Sequence, residues 1–145
     1  MELTKRILHL AAKPVEFAFP IQNLQLADQL LNFMRKNQGI GLAAPQVGIR
    51  KRLFVMDVDG WPRVCFNPKI IGQSWNLIES VEGCLSFPGN SCTIKRYETI
   101  DVEYQDYQGH VHSERISGLL ARCFQHELDH LDGITMYERQ DQHAK

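Results

Sequence analysis

No stretch of this sequence is long and apolar enough to suggest a membrane-spanning helix. The opening Met1-Glu2-Leu3-Thr4-Lys5-Arg6 leads into too few apolar residues for a signal peptide, so a soluble intracellular protein is expected. Cysteine is scarce: Cys65, Cys84, Cys92 and Cys123 are the 4 present, with no paired Cys-x-x-Cys spacing. A disulfide scaffold is thereby excluded, and the cysteines are read as thiols, one of them a candidate ligand. A surplus of charge is also lacking. At a formal net charge of −1, binding a polyanion is not the main business, and no nucleic-acid role is expected. There is no repeat, no low-complexity tract and no internal linker. What is present is 145 residues, 43% of them hydrophobic, enough for one domain with a real core and too few for two.

The chemistry is concentrated in Gln125-His126-Glu127-Leu128-Asp129-His130. On a helix His126 and His130 stand at i and i+4, so both imidazoles leave the same face one turn apart and can share a metal ion. Glu127 beside them can take a proton from a water held at such a metal without being a ligand itself. Leu119, Cys123, His126 and His130 run at helical spacing down one side, next to an apolar stripe of Leu120, Phe124, Leu128 and Leu131. The helix is therefore expected to start at Ser117, to be mostly buried, and to end at Gly133. Arg122, Gln125, Asp129 and Asp132 are left as its polar edge.

Taken in order, the chain opens with a short segment around Ile7 to Leu10 and an extended entry at Lys13-Pro14-Val15. Leu24, Ala27, Leu30, Leu31 and Met34 then recur at helical spacing between Pro20 and Gly39, which predicts an amphipathic helix. The stretch from Gly39 to Gly48, Gly-Ile-Gly-Leu-Ala-Ala-Pro-Gln-Val-Gly, is a loop that lets backbone come close to something. No Gly-Lys-Ser/Thr ending follows it, so it is not a phosphate cradle. Leu53 to Val58 and Val64 to Phe66 read as strands around a turn at Asp59-Gly60-Trp61-Pro62, with Asn67-Pro68 breaking the pairing before Ile70-Ile71 resumes it. Thr93 to Arg96, Ile100 to Tyr104 and His110 to Ile116 alternate like antiparallel strands, with a hairpin turn at Asp106-Tyr107-Gln108-Gly109. His110 and His112 share a strand face there and, lacking a nearby carboxylate or thiol in sequence, read as exposed hairpin residues. The expected class is α+β: antiparallel sheets packed around a central metal-binding helix, with an N-terminal helix.

Two helical histidines leave a metal under-coordinated, and a thiolate from elsewhere would complete three ligands with an open position. Cys123, one turn before His126, suits a pocket wall better; Cys65 and Cys92 fall in or at strands and suit core packing. Cys84, in Glu82-Gly83-Cys84-Leu85-Ser86, follows a glycine that permits close backbone approach, and chemistry alone favours it modestly.

GIGLAAPQVG, EGCLS and QHELDHLDG, in this order, resemble the signature motifs of the peptide deformylases, over roughly residues 39–134. The resemblance implies Cys84, His126 and His130 as metal ligands, Glu127 as general base and acid, and Gln46 with the Leu85 backbone N–H as donors to the oxyanion. It implies one divalent metal, Fe²⁺ physiologically, with Zn²⁺, Ni²⁺ or Co²⁺ able to occupy the site. It further implies cytoplasmic removal of the formyl group from formyl-methionyl nascent peptides. The peptide would be bound as an added strand along Ile40-Gly41 and Gly83, with the methionine in a pocket including Ile40, Leu119 and Cys123. By the same matching Glu82 pairs with Arg96 to brace the cysteine loop. The sequence departs from many relatives in a short C-terminal tail after His130, which weakens or alters the expected transient ribosome association. It also departs at Ser80, where an aliphatic pocket residue is usual, so a more polar or more open pocket is expected. A His-Glu-x-x-His endopeptidase would need a further His or Glu ligand after the helix, and none is convincingly placed. A thiol-metal storage or sensing module would leave Glu127 and Gln46 without work.

Overall fold

The computed structural model describes the backbone of residues 1–143 and side chains through residue 140. Helix α1 spans Pro20–Lys36, with its proline in the first turn and Arg35 and Lys36 in the last, the favourable end for each. Strands β1 (Gly41–Ala43), β2 (Leu53–Val58), β3 (Trp61–Gln73), β6 (Thr99–Gln105) and β7 (Val111–Ser117) make an antiparallel five-stranded sheet in the order β1-β2-β3-β6-β7. β4 (Leu77–Glu82) and β5 (Cys92–Tyr97) form a separate antiparallel pair. α2 spans Gly118–Leu131 and α3 spans Met136–His143. A short 3-10 helix at Ala44–Val47 follows β1 directly.

Strand β2 explains the layering. All its residues but Asp57, which pairs with Arg35, are apolar, and both faces are covered: Leu53 and Val55 pack with Leu30 and Met34 of α1, while Phe54, Met56 and Val58 pack with Phe124 and Leu131 of α2. Phe54 meets the edge of Phe124 at 5.0 Å between ring centroids. The helix that carries the histidines is thus pressed against the sheet by the largest side chains of the core, which fixes the histidine-bearing face toward β1 and the β4-β5 pair.

The expected interruption at Asn67-Pro68 is a bulge inside one long strand. The register of β3 on β6 shifts between Phe66 and Lys69 and again between Ile70 and Gly72. Asn67 takes a left-handed φ of 48°. It is held there by accepting from the Val15 N–H (2.8 Å) and donating to the Val15 carbonyl (3.0 Å) and Gln105 Oε1 (2.9 Å). The first hairpin turn is tighter than expected, only Asp59 and Gly60, with Trp61 and Pro62 already paired to Val58 and Asp57.

β4 was not foreseen because its pattern is inverted. Ser80 and Glu82 are buried and Val81 is 75% exposed, so reading hydrophobicity places the inner face outside. The segment after His130, expected to be a plain tail, folds as α3, with Met136 buried against Cys92 and Ile94 of β5. Gln125 and Asp129, assigned to a polar edge, are buried. The Gln125 side chain accepts from the Tyr97 N–H (3.0 Å) and donates to the Tyr97 carbonyl (2.9 Å), stapling α2 to the end of β5. His112 does have a carboxylate near it, Asp106 at 2.9 Å across the hairpin, though both are solvent-exposed or nearly so.

Candidate metal centre and adjoining cavity

The ligand atoms of Cys84, His126 and His130 lie within 4.8 Å of one another, close enough to face a single ion, and among the described residues this is the group so arranged. His126 and His130 come from successive turns of α2; Cys84 comes from the loop after β4 and lies 3.4 Å from His130 Nε2. The donor set fits a metal on chemical grounds. His126 is oriented by its Nδ1, which donates to Glu82 Oε1 at 2.8 Å, leaving Nε2 free to turn toward Cys84. Burial opposes charge on His126, but its hydrogen bonds to Cys84 and Glu82 outweigh that and push its pKa up to about 10. The point between the thiol and the ring thus draws positive charge. Burial, with the nearby His126 and Arg96 charges, takes His130 the other way, down to about 3, so its imidazole is neutral with a lone pair to give. A thiolate, two imidazoles and an open fourth position suit a four-coordinate divalent ion.

Glu82 is not alone. Arg96 donates to both of its oxygens, at 2.9 and 2.8 Å, and also to Asp129 Oδ2 at 2.6 Å. Asp129 in turn accepts from Arg139 of α3 at 3.1 and 2.7 Å. Although burial works to raise it, the hydrogen bonds from Arg96 and His126 hold the Glu82 carboxyl down at about 2, so it is ionised throughout the neutral range. The Glu82–Arg96 pair was expected from the resemblance. Asp129 and Arg139 were missed, because nothing in the spacing of α2 distinguishes a buried Asp129 from a solvated one.

Glu127 is 4% exposed, and its Oε1 has no hydrogen-bond partner among the described residues. Burial is the main reason its pKa is pushed up to about 7. β1 runs so close that a Cβ on Gly41 would stand 2.6 Å from Glu127 Oε2 and 2.8 Å from Cys123 Sγ. That is the close approach the glycine-rich loop announced. At the end of the same loop Gln46 is 1% exposed. Its Oε1 accepts from the Ala43 N–H at 2.9 Å, and its Nε2 donates to Ser86 Oγ at 3.1 Å and toward Cys84 Sγ at 3.4 Å. The amide is therefore locked with its donor end on the cysteine loop.

These groups stand at one side of a cavity of about 540 Å³. Ile40, Gly41, Gly83, Leu85, Leu119 and Cys123 all line it, together with Gln46, Cys84, His126 and Glu127. His130 lies behind them, fully buried. Cys123 contributes wall, its thiol directed at the Ile40 carbonyl at 3.7 Å. Cys65 and Cys92 are core residues, as expected. Leu119 and Ile40 are about half exposed, at 45% and 44%, and form the mouth. Ser80, buried beside Glu82, adds a hydroxyl to the lining where an apolar group was the alternative.

A thiol and two imidazoles beside an enclosed carboxyl and a cavity of peptide size could hold one metal ion with room for a ligand next to it, the arrangement of a mononuclear metal site. The chain belongs to the polypeptide deformylase family, whose model matches residues 1–145. It is 46% identical over 119 residues to a peptide deformylase of Picosynechococcus, a match covering 79% of this chain and 64% of that protein. Among solved structures it is similar to the peptide deformylase of Thermotoga maritima, with a TM-score of 0.88 at 40% identity, covering 93% of this chain and 91% of the other. A peptide deformylase of Synechococcus elongatus in complex with actinonin superposes with a TM-score of 0.88 at 42% identity, covering 95% and 75%. No described helix is long and apolar enough to cross a membrane.

Proposed function

We propose that this chain, as one catalytic domain over residues 1–145, hydrolyses the formamide of N-formyl-methionyl peptides to formate and a free amino terminus. The observation that carries the reading is the meeting of the Cys84, His126 and His130 ligand atoms beside an enclosed carboxyl, Glu127, on the wall of a cavity. The three ligands would hold a divalent ion, Fe²⁺ in the cell with Zn²⁺, Ni²⁺ or Co²⁺ as substitutes. When bound, it would supply Lewis acidity toward the formyl oxygen and lower the pKa of water.

The residues of the chain do the rest. Gln46 Nε2 and the Leu85 N–H donate to the carbonyl oxygen as charge develops there; Ala43 and Ser86 hold the Gln46 amide in place, and the N–H now directed toward Cys84 Sγ is the one that turns to the substrate. Glu127 takes a proton from the attacking water as its oxygen bonds to the formyl carbon. The C–N bond then breaks, and Glu127 passes that proton to the departing amine. With Oε1 unpartnered among the described residues and the carboxyl on the cavity wall, Glu127 is placed to do both. β1 ends the larger sheet and β4 has only β5 as neighbour, so both present an edge to the cavity. A peptide can lie between them as an added strand, bonded along Ile40-Gly41 and Gly83, with its methionine side chain among Ile40, Leu119 and Cys123. The substrates would be newly made chains in the cytoplasm.

Metal-loaded protein kept under nitrogen should release formate from formyl-Met-Ala-Ser, far less from its acetyl analogue, and give no fragments from an unfolded protein. Glu127→Gln should keep its metal and lose at least about 10²-fold in turnover. Fragments from the unfolded protein without formate from the peptide would make this an endopeptidase.

A further inference from the structure

One cation on the cavity wall has no counterpart. Arg122 lines the cavity, is only partly exposed, and among the described residues makes no hydrogen bond or ion pair. The other arginine near the site, Arg96, is saturated by Glu82 and Asp129. A guanidinium held partly out of water favours taking up an anion, and among the described residues no carboxylate of the cavity wall pairs with this one. Of those carboxylates, Glu82 is committed to Arg96 and His126, and Glu127 is enclosed. Glu79 is exposed, lies in register with Lys95 in the strand pair, and makes no ion pair with Arg122 among the described residues.

The position along the helix says what could reach it. Arg122 precedes His126 by four residues, about 6 Å along the axis. Exposure rises in that direction, from Cys123 at 6% to Leu119 at 45%, so Arg122 stands one turn out from the ligands toward the mouth. An extended peptide advances about 3.3 Å per residue, so its second residue arrives at that distance from the reacting carbon.

Resting on the deformylase reading above, we infer that Arg122 is a specificity residue that binds a carboxylate of the substrate one residue beyond the formyl-methionine. This is either the side chain of an acidic second residue or the terminal carboxylate of a very short formyl peptide. The guanidinium fork matches a carboxylate, and the pair forms at a site partly shielded from solvent. Ser80, whose hydroxyl lines the same cavity, adds a polar neighbour on the opposite element.

The test compares kcat/KM for formyl-Met-Asp-Ser-amide, formyl-Met-Ala-Ser-amide and formyl-Met-Lys-Ser-amide with the metal-loaded protein. Formyl-Met-Ala as free acid and as amide gives the second source of the carboxylate. The Asp peptide is expected to exceed the Lys peptide by about tenfold at low salt, mostly through KM, with the ratio falling as salt is raised. Arg122→Gln should bring the Asp/Lys ratio close to one, and Arg122→Glu should invert it. Metal content and melting temperature verify that each variant is folded. A preference for the free acid alone would assign the site to the chain terminus; a preference for Asp in the amides assigns it to the side chain. Equal rates for all peptides, or a ratio unmoved in both variants, overturns the role of Arg122 while leaving the deformylase reading intact. Absence of formate from every peptide overturns both.

Discussion

Replacing Arg96 by Met puts the buried ion network to a quantitative test. Arg96 is 3% exposed and makes two hydrogen bonds to Glu82 and one to Asp129, all at 2.9 Å or less. Met fills much of the same volume, so the cost falls on the carboxylates left behind rather than on a cavity. Breaking one partner out of a buried pair costs about 3–5 kcal/mol. Here the lower end applies, because Asp129 keeps Arg139 and Glu82 keeps the His126 ring. Urea denaturation of the native and variant proteins should therefore show a loss of about 3 kcal/mol with an unchanged slope, against a total of about 5–15 kcal/mol for a domain of ordinary stability. The same variant frees Glu82 to shift, and with it the orientation of His126. Zinc affinity, read by competition with a chelator, should fall about 10- to 100-fold. Adding Glu82→Gln should cost less in the Arg96→Met background than alone, because the arginine charge it would otherwise strand is already absent and the unpaired carboxylate is removed. A loss under about 1 kcal/mol with unchanged zinc affinity would mean that the network behaves like a surface pair and positions nothing.

Gly41→Ala is expected to retain metal and fold while losing about 10²-fold in formate release, because the added methyl would press on Glu127 Oε2 and displace the carboxyl; normal turnover would show that β1 simply gives way. Near the opposite edge of the sheet, Glu114 of β7 accepts from Arg63 at 2.9 Å on each oxygen and from the Tyr104 hydroxyl at 2.7 Å, and the Arg63 hydrogen bonds hold its carboxyl below the usual range. A carboxyl depressed in the folded state adds stability that is complete above its unfolded pKa and is lost as pH falls through the folded one. Melting temperatures between about pH 5 and pH 2 should thus fall less steeply in Glu114→Gln than in the native protein, and parallel curves would remove Glu114 from the acid limb.

What could be seen in the residues beforehand follows from which interactions are local. The i,i+4 histidines and the apolar stripe of α2 are set by spacing within a few residues, and each stands where its pattern puts it, whereas the stretch from Gly39 to Gly48, read as a loop, contains strand β1 (Gly41–Ala43) and the 3-10 helix Ala44–Val47. Cys84 could be favoured only modestly from its neighbours, because what distinguishes it from Cys123 is the path of β4, which lies far from α2 in the chain. β4 itself was hidden by the site: its inward positions are polar because they serve His126 and line the cavity, and hydrophobic alternation reads them backwards. Gln125 and Asp129 were misassigned for a related reason, since their partners, Tyr97, Arg96 and Arg139, belong to β5 and α3. Polar residues in this molecule are buried wherever another element brings them a complement, and such pairings leave no periodic trace.

The same pairings explain how ligands from separate elements come to face one point. Cys84 hangs on a loop, which by itself would leave the thiol wandering by more than a metal site tolerates. Glu82, two residues before it, is clamped by Arg96 of β5 and by His126 of α2, so the end of β4 is fixed relative to the very ring that would share a metal with the thiol. Gln125 ties α2 to the Tyr97 backbone, and Asp129 carries the tie on to Arg139 of α3. On the other side of the thiol, Gln46 donates to both Cys84 and Ser86 while its own carbonyl is held by Ala43. The cysteine loop is thus anchored on both flanks by side chains that are themselves anchored, and the two imidazoles need no loop at all. A buried ionic network of this kind adds little net stability compared with apolar packing of the same volume. Its return is geometric: Cys84 and His126 meet at a defined distance, and Glu127 and Gln46 are held around the place where the substrate carbonyl would lie.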